Sequence, residues 1–449
     1  MTEGRGRGLF ASKAMVKGDI VLIERPLVAM QSLDNAQDVM VCRNCLGFAG
    51  DVVSQLEILS GVPRHECLER FEVRCLSKNP VGKHTGCTFQ ADFSGLHDCL
   101  QACGEVYCSP KCREEHFERC HRLLCVGPVP EEEAHSHPLV QFRVHAMQTN
   151  EIFLLVGEVL AQVVAAFIRT GGDLTNAQAP FIDFIQEPWW EVAVSRETEG
   201  GADSSVAGES LNGTLRALCD ESSALLRKAL ALPPALEAVL TAERFGRVVG
   251  MFEQNNVGIR APSPILAVLK EVVAKGEEGA TVDELAALVY KIEEGSGRDD
   301  GDEGSDCCGE EKSACCAENP EMSEESSVDV EECGEDPMGL LKSATERDDV
   351  DSLFAPLDGT SLYSLICCMN HSCRPNCVVR YPGRRNSRGG EANPLVAEVS
   401  LLEDVVAGEE LTQSYINTGM DLLERRSALE DYGFLCKCVR CVKEEQEAV

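Results

Sequence analysis

Residues 370–376 read NHSCRPN, and residues 434–441 read FLCKCVRC. The second stretch holds Cys436-x-Cys438-x2-Cys441, three thiols at zinc-ligand spacing. A closed structural zinc site takes four ligands tetrahedrally, so one donor is missing. Cys373, in the first stretch, is the natural fourth donor if the two segments meet. Between them LVAEVSLL (395–402) partly alternates, VVAGEE (405–410) is a turn, and LTQSY (411–415) is a short strand. A helix is predicted over 421–432. The C-terminal part is therefore short strands tied to a metal cluster.

The other end of the chain has matching character. GRGRGLFA (4–11) is a glycine-rich turn into an apolar segment. Lys17-Gly18-Asp19 is a turn, and IVLIERP (20–26) is a β-branched strand ended by a proline that cannot donate to a ladder. Strands at both ends flank a different middle, so the ends must meet in space. The fold class is α+β with insertions.

The first insertion is rich in cysteine. Residues 42–125 hold 11 of the 24 cysteines. Cys42-x2-Cys45 is followed by Cys99-x3-Cys103, Cys108-x3-Cys112 and His121-x3-Cys125. Chelating pairs two to four residues apart close small rings around zinc without strain, and eight ligands make two sites. His116 and Cys120 form a rival pair at the same spacing as the last. Cys67, Cys75 and Cys87 are too widely spaced to be read as ligands.

Net charge is −34, from 41 Lys and Arg against 75 Asp and Glu. That disfavours a protein that coats nucleic acid, which needs a basic face. It suits a basic partner. Aromatic content is 5%, too low for base-stacking platforms. Residues 1–17 lack the apolar core of a signal peptide. The longest apolar stretch, 152–168, carries Glu158 and Gln162 and reads as a buried helix rather than a membrane span. The chain is expected to be intracellular, with thiols serving as metal ligands rather than disulfides.

From His135 to about Met251 the apolar period is helical, with helices predicted near 139–168, 211–230 and 235–252. Thr281 to Glu284 reads as a capping box ahead of another helix. PWWE (188–191) is read as packing, not as a site. Residues 293–351 carry 22 acidic and 4 basic side chains, a net of −18, and are read as a disordered insertion. Cys307, Cys308, Cys315, Cys316 and Cys333, within it, are read as free surface thiols.

NHSCRPN, GEELTQSY (408–415) and FLCKCVRC, in that order, resemble the catalytic core of SET-domain lysine methyltransferases. GRGLFA (6–11) is similar to the first SET strand, and the cysteine block resembles an inserted MYND zinc module. The chain thus resembles the SET and MYND (SMYD-type) family. The Cys99-x3-Cys103 pair and PWWE look closest to plant trithorax-related SET/MYND proteins. The end of the chain just after the last cysteines is similar to the animal member without a C-terminal helical-repeat domain. The first strand stands so near Met1 that the start reads as shortened. The 45–99 gap is long for a MYND module, and the acidic insertion is unusual.

The resemblance implies a split SET fold of small β-sheets with a pseudoknot. Its parts would be an N-terminal SET segment (1–41), a MYND-type module (42–125), a helical insert (126–292), the acidic insertion (293–351), the catalytic SET part (352–433) and a post-SET zinc segment (434–449). It implies S-adenosylmethionine as cofactor and three zinc ions. Tyr415 would be the catalytic tyrosine, and Tyr432 would line the lysine channel. Gly6, Arg7, Gly8, Asn255, Asn370, His371 and Phe434 would contact the cofactor, with Asn256 a rival to Asn255. The metal ligands would be Cys42, Cys45, Cys99, Cys103, Cys108, Cys112, His121, Cys125, Cys373, Cys436, Cys438 and Cys441.

Methyl transfer to a lysine amine is an in-line displacement that depends on positioning. The expected function is lysine methylation of a protein, with histone H3 the foremost substrate. As a regulator of chromatin the chain would sit in the nucleus, the cytoplasm or both. The alternative is a non-catalytic adaptor whose MYND module recruits proline-containing peptides in transcriptional regulation. No membrane partner and no sequence-specific DNA binding are expected.

Overall fold

The computed structural model describes residues 7–49, 55, 58–59, 96–193, 204–230, 232, 234–276, 280–296, 336–381, 395–430 and 432–447. Gly6, the wide-spaced Cys67, Cys75 and Cys87, and the cysteines of 307–333 lie outside these residues.

The two ends of the chain share sheets. β1 (Leu9–Phe10), β2 (Ile20–Glu24) and β3 (Val28–Gln31) come from the N-terminal segment. β4 (His97–Asp98) and β5 (Val106–Tyr107) form a hairpin in the cysteine-rich region, and β6 (Val257–Ala261) follows the helical middle. β7 (Leu357–Leu362), β8 (Asn370–His371), β9 (Cys377–Arg380), β10 (Ala397–Leu401) and β11 (Glu410–Gln413) come from the C-terminal part. The three-stranded sheets run β1-β11-β8, β2-β10-β9 and β3-β7-β6. Each N-terminal strand thus pairs antiparallel with a C-terminal one: Leu9 with Leu411, Leu22 with Val399, Met30 with Thr360. Their shared interior is Ala11, Tyr363, Ile366, Met369, Val399 and Leu411.

The helical middle packs beside them. Its apolar stretch is two helices, Pro138–Thr149 and Ile152–Arg169, rather than one. Asn150 breaks the run: its extended backbone ends the first helix, and its Oδ1 accepts from Ile152 N at 2.9 Å. Ile152–Arg169 buries Phe153, Leu155, Val156, Val159, Leu160, Val163 and Val164, so its apolar length is spent on the protein core. Trp189 and Trp190 are buried in the same cluster. A Cβ on Gly246 would stand 2.3 Å from the Trp190 ring, so only glycine lets helix Ala242–Asn255 approach so closely.

The acidic stretch is folded at both of its ends. Residues 293–296 continue the helix Ala280–Ser296, and Pro337–Glu346 and Val350–Leu353 are helical. Asp336 caps the second of these by accepting from Gly339 N at 2.9 Å, and Leu341 and Ala344 are buried. The expected disorder over the whole of 293–351 is therefore corrected; its charge-dense centre, 297–335, lies outside the described residues. The helix Ala280–Ser296 already includes Thr281, so the box at 281–284 does not mark its start. The region 126–292 also contributes a strand, β6, and is not wholly helical.

Candidate functional site

β8 runs parallel to β11, with Thr412 opposite Asn370 and Gln413 opposite His371. Strands of two residues cannot hold themselves together, so side chains supply the rest. Asn376 clamps β11: its Nδ2 donates to Glu410 O and its Oδ1 accepts from Thr412 N, both at 2.8 Å. Asn370 Nδ2 donates to Arg7 O at 2.9 Å and to Glu410 Oε1 at 2.7 Å. The Arg7 guanidinium bonds Asp183 O. A Cβ at Gly8 would stand 2.9 Å from Glu410 Oε1 and 3.1 Å from Asn370 Nδ2. That polar cradle exists because residue 8 has no side chain.

Past β11 the chain reaches Tyr415. Its backbone N donates to His371 Nδ1 at 3.0 Å, which sets the imidazole tautomer with Nδ1 as acceptor. His371 Nε2 then faces Cys373 Sγ at 3.3 Å. The Tyr415 hydroxyl donates to Met369 O at 2.6 Å. Burial pushes that hydroxyl well above the ordinary phenol range, so it stays protonated at neutral pH. The Tyr415 ring lies 5.1 Å from Tyr432, 5.4 Å from His371 and 6.3 Å from Phe434, between centroids. The Tyr432 hydroxyl donates to Tyr415 O at 3.2 Å. Tyr432 and Phe434 remain 44% and 39% exposed, so the aromatic group is open on one side.

Tyr415 and Tyr432 border a cavity of about 580 Å³ whose wall includes Asn255, Gly258, Cys367, Tyr381 and Gln413. That size falls in the range of small-molecule sites. Asn370, His371 and Phe434 are outside its lining. Asn255 reaches it, but its Nδ2 is engaged with Ile185 O at 3.0 Å and Met251 O at 2.7 Å. This residue secures the end of its helix, and the rival Asn256 lines the same cavity.

The cysteines gather into three groups of four, each with ligand atoms within 4.8 Å of one another. Cys42 and Cys45 join Cys108 and Cys112, while Cys99 and Cys103 join His121 and Cys125. The pairs therefore interleave along the chain. Cys373 joins Cys436, Cys438 and Cys441, all buried. A zinc–sulfur bond of 2.3 Å in a tetrahedron places sulfurs about 3.8 Å apart. The observed spacings are 3.7 and 3.5 Å in the first group, 3.7 Å in the second, and 3.9 and 3.5 Å in the third. All three groups fit zinc. The Tyr107 ring, buried among the module's thiols, packs edge-on to His121 at 6.3 Å.

Sequence reasoning passed over Arg425, Arg440 and Glu410. Arg425 is fully buried, donates to Cys441 Sγ at 3.8 Å and pairs with Glu444. A four-thiolate zinc carries net negative charge, which a buried guanidinium offsets. Arg440 donates to Cys373 O at 3.5 Å and Thr418 O at 2.7 Å. Its place inside the C-x-C-x2-C run was the available signal; nothing in the sequence marked Arg425.

No family model matches the chain. It is similar to histone-lysine N-methyltransferase ATXR2 of Arabidopsis thaliana, 24% identical over 98% of this chain and 88% of the relative. It is equally 24% identical to protein-lysine N-trimethyltransferase SMYD5 of Homo sapiens, over 100% of this chain and 86% of the relative. A 91-residue stretch is 35% identical to a SET and MYND domain-containing protein of Dictyostelium discoideum, covering 20% of this chain and 24% of that one.

Proposed function

We propose that this SET and MYND-type chain is an S-adenosylmethionine-dependent protein-lysine N-methyltransferase acting on histone H3 or another protein lysine. The observation that carries the reading is the seating of Tyr415. Its backbone is tied to His371, its hydroxyl to Met369 O, and its ring lies beside Tyr432 at a cavity wall.

S-adenosylmethionine, when bound, supplies a methyl group on a sulfonium sulfur, open to in-line attack by an amine. Arg7, Gly8, Asn370, His371 and Phe434 are the residues that would hold it. The space kept by Gly8 between Asn370 and Glu410 supports that assignment. Tyr415 and Tyr432 would flank the incoming lysine. Low polarity around them favours the neutral amine, so the ammonium proton leaves Nζ for solvent before transfer. The protonated Tyr415 hydroxyl and the Met369 carbonyl would then orient Nζ, and orientation supplies much of the rate enhancement. In this reading β8 and the chain before Tyr415 form the threaded crossing of the SET fold. The acidic balance of the chain would draw a basic tail toward it.

The test is calorimetric titration of S-adenosylmethionine, with S-adenosylhomocysteine as comparison, into zinc-loaded protein. Micromolar binding that disappears in Asn370→Ala supports the reading, and transfer to H3 and other lysine peptides follows. Folded, zinc-loaded protein that binds neither compound would overturn it.

A further inference from the structure

Three buried side chains outside the zinc groups converge where the cysteine-rich module meets the helical core. His116 closes the helix Pro110–His116, Cys120 lies in the π-helical turn Phe117–His121, and Glu158 projects from the helix Ile152–Arg169. One ligand atom of each lies within 4.8 Å of the others, and all three are buried. His116 Nε2 and Glu158 Oε2 have no hydrogen-bond partner. Their other polar atoms are engaged. His116 Nδ1 is 3.0 Å from the Tyr107 hydroxyl, and Glu158 Oε1 is held by Arg43. One ring nitrogen and one carboxylate oxygen fixed from behind, with the others presented forward, is how metal ligands are oriented. His116 and Glu158 also border a cavity of about 300 Å³.

We propose that His116, Cys120 and Glu158 form a further cation site of the zinc class, with three protein ligands and an open fourth position toward this cavity. Imidazole, thiolate and carboxylate together suit zinc and its neighbours, whereas magnesium and calcium take oxygen ligands. Binding exchanges the Cys120 S–H bond for a metal–sulfur bond, and the proton goes to solvent. Thiolate and carboxylate neutralise a divalent ion, and Arg43 keeps Glu105 as a counter-charge at 3.6 Å. His116-x3-Cys120 repeats the spacing of His121-x3-Cys125. The π turn sets the two pairs side by side, with the imidazoles stacked at 5.0 Å. One pair serves the module's own cluster; the other faces the core. An ion here would bolt the module to Glu158 of the core, and with three ligands it would be the first metal to leave.

The experiment uses the full chain, equilibrated with zinc and desalted. Metal analysis is expected to give about four zinc ions per chain, and about three in Glu158→Gln and in Cys120→Ser. In the wild type a competing chelator is expected to remove one ion ahead of the rest. Cobalt added to that depleted protein should give a weak charge-transfer band for a single thiolate, absent in both variants. Glu158→Gln is near-isosteric, so it decides the matter if Cys120→Ser does not fold. Three zinc ions with no uptake from excess zinc, or a fourth that survives both substitutions, would overturn the site.

Discussion

Changing Tyr415 to phenylalanine separates what the hydroxyl does for the fold from what it does for transfer. The substitution deletes one hydrogen bond, the 2.6 Å contact to Met369 O. The main-chain bond to His371 Nδ1 and the ring contacts at 5.1 and 5.4 Å do not involve the hydroxyl. Losing one neutral hydrogen bond and stranding a carbonyl costs about 1–2 kcal/mol of stability. For a chain of 449 residues the melting temperature should fall by only about 1–2 °C, since the unfolding entropy is about 2.1 cal/mol/K per residue. Transfer should suffer more. Removing one preorganised polar group from a reacting centre costs about 10²–10³-fold in kcat. The assay is the initial rate of labelled methyl transfer to the best lysine substrate, with cofactor affinity and zinc content measured on the same preparation. A large drop in kcat at unchanged cofactor affinity is expected. Wild-type kcat in the variant would refute the role given to Tyr415.

Two further outcomes follow from named contacts. Gly8→Ala places a Cβ 2.9 Å from Glu410 Oε1 and 3.1 Å from Asn370 Nδ2, and such overpacking costs about 1–3 kcal/mol, so cofactor affinity by calorimetry should fall about 5- to 150-fold. Cys373→Ala removes a ligand from the C-terminal group, so metal analysis should show one zinc lost and cofactor binding lost with it, while circular dichroism keeps the helical signal; full cofactor affinity in that variant would separate the cluster from the site.

What the sequence reveals and what it hides both have local causes. The strands at 20–24, 397–401 and 410–413 stand where patterning predicts, because β-branched residues, Pro26 and the Gly408 turn are short-range signals. Zinc spacing is also short-range, but it names only half a site: Cys42-x2-Cys45 does not say which of three later pairs completes it. The interleaving is decided by the β4–β5 hairpin, which brings residue 99 beside residue 105 and aims the pairs apart. In 293–351, averaging the charge over the whole stretch conceals Asp336-Pro337 and the buried Leu341 and Ala344, a capped helix inside an acidic run. Asn255, a motif position, lines the cavity beside Tyr415 and donates both N–H groups to nearby carbonyls, much as Asn370 donates to Arg7 O and Glu410 Oε1.

The four-cysteine group near the C-terminus and the cradle of Gly8, Asn370 and Glu410 are one mechanical unit. β1 and β8 are each two residues long, too short to be stable by ladder bonds. β8 is fixed by what lies on either side of it. Asn370 is bonded to Arg7 O and Glu410, and His371 is wedged between Tyr415 N and Cys373 Sγ. Cys373 is in turn a member of the group with Cys436, Cys438 and Cys441. The imidazole bonded to Tyr415 N therefore leans directly on a sulfur of that four-cysteine group. Loss of an ion there would leave four buried cysteines with nothing to bridge them and Arg425 with Glu444 as its anionic partner, and the disturbance would reach Tyr415 through His371. The helical core, held by Phe153, Trp190, Phe245 and Phe252, shares none of these contacts. Chelation should thus disarm the site before it unfolds the protein, which is why zinc content has to be measured beside every activity.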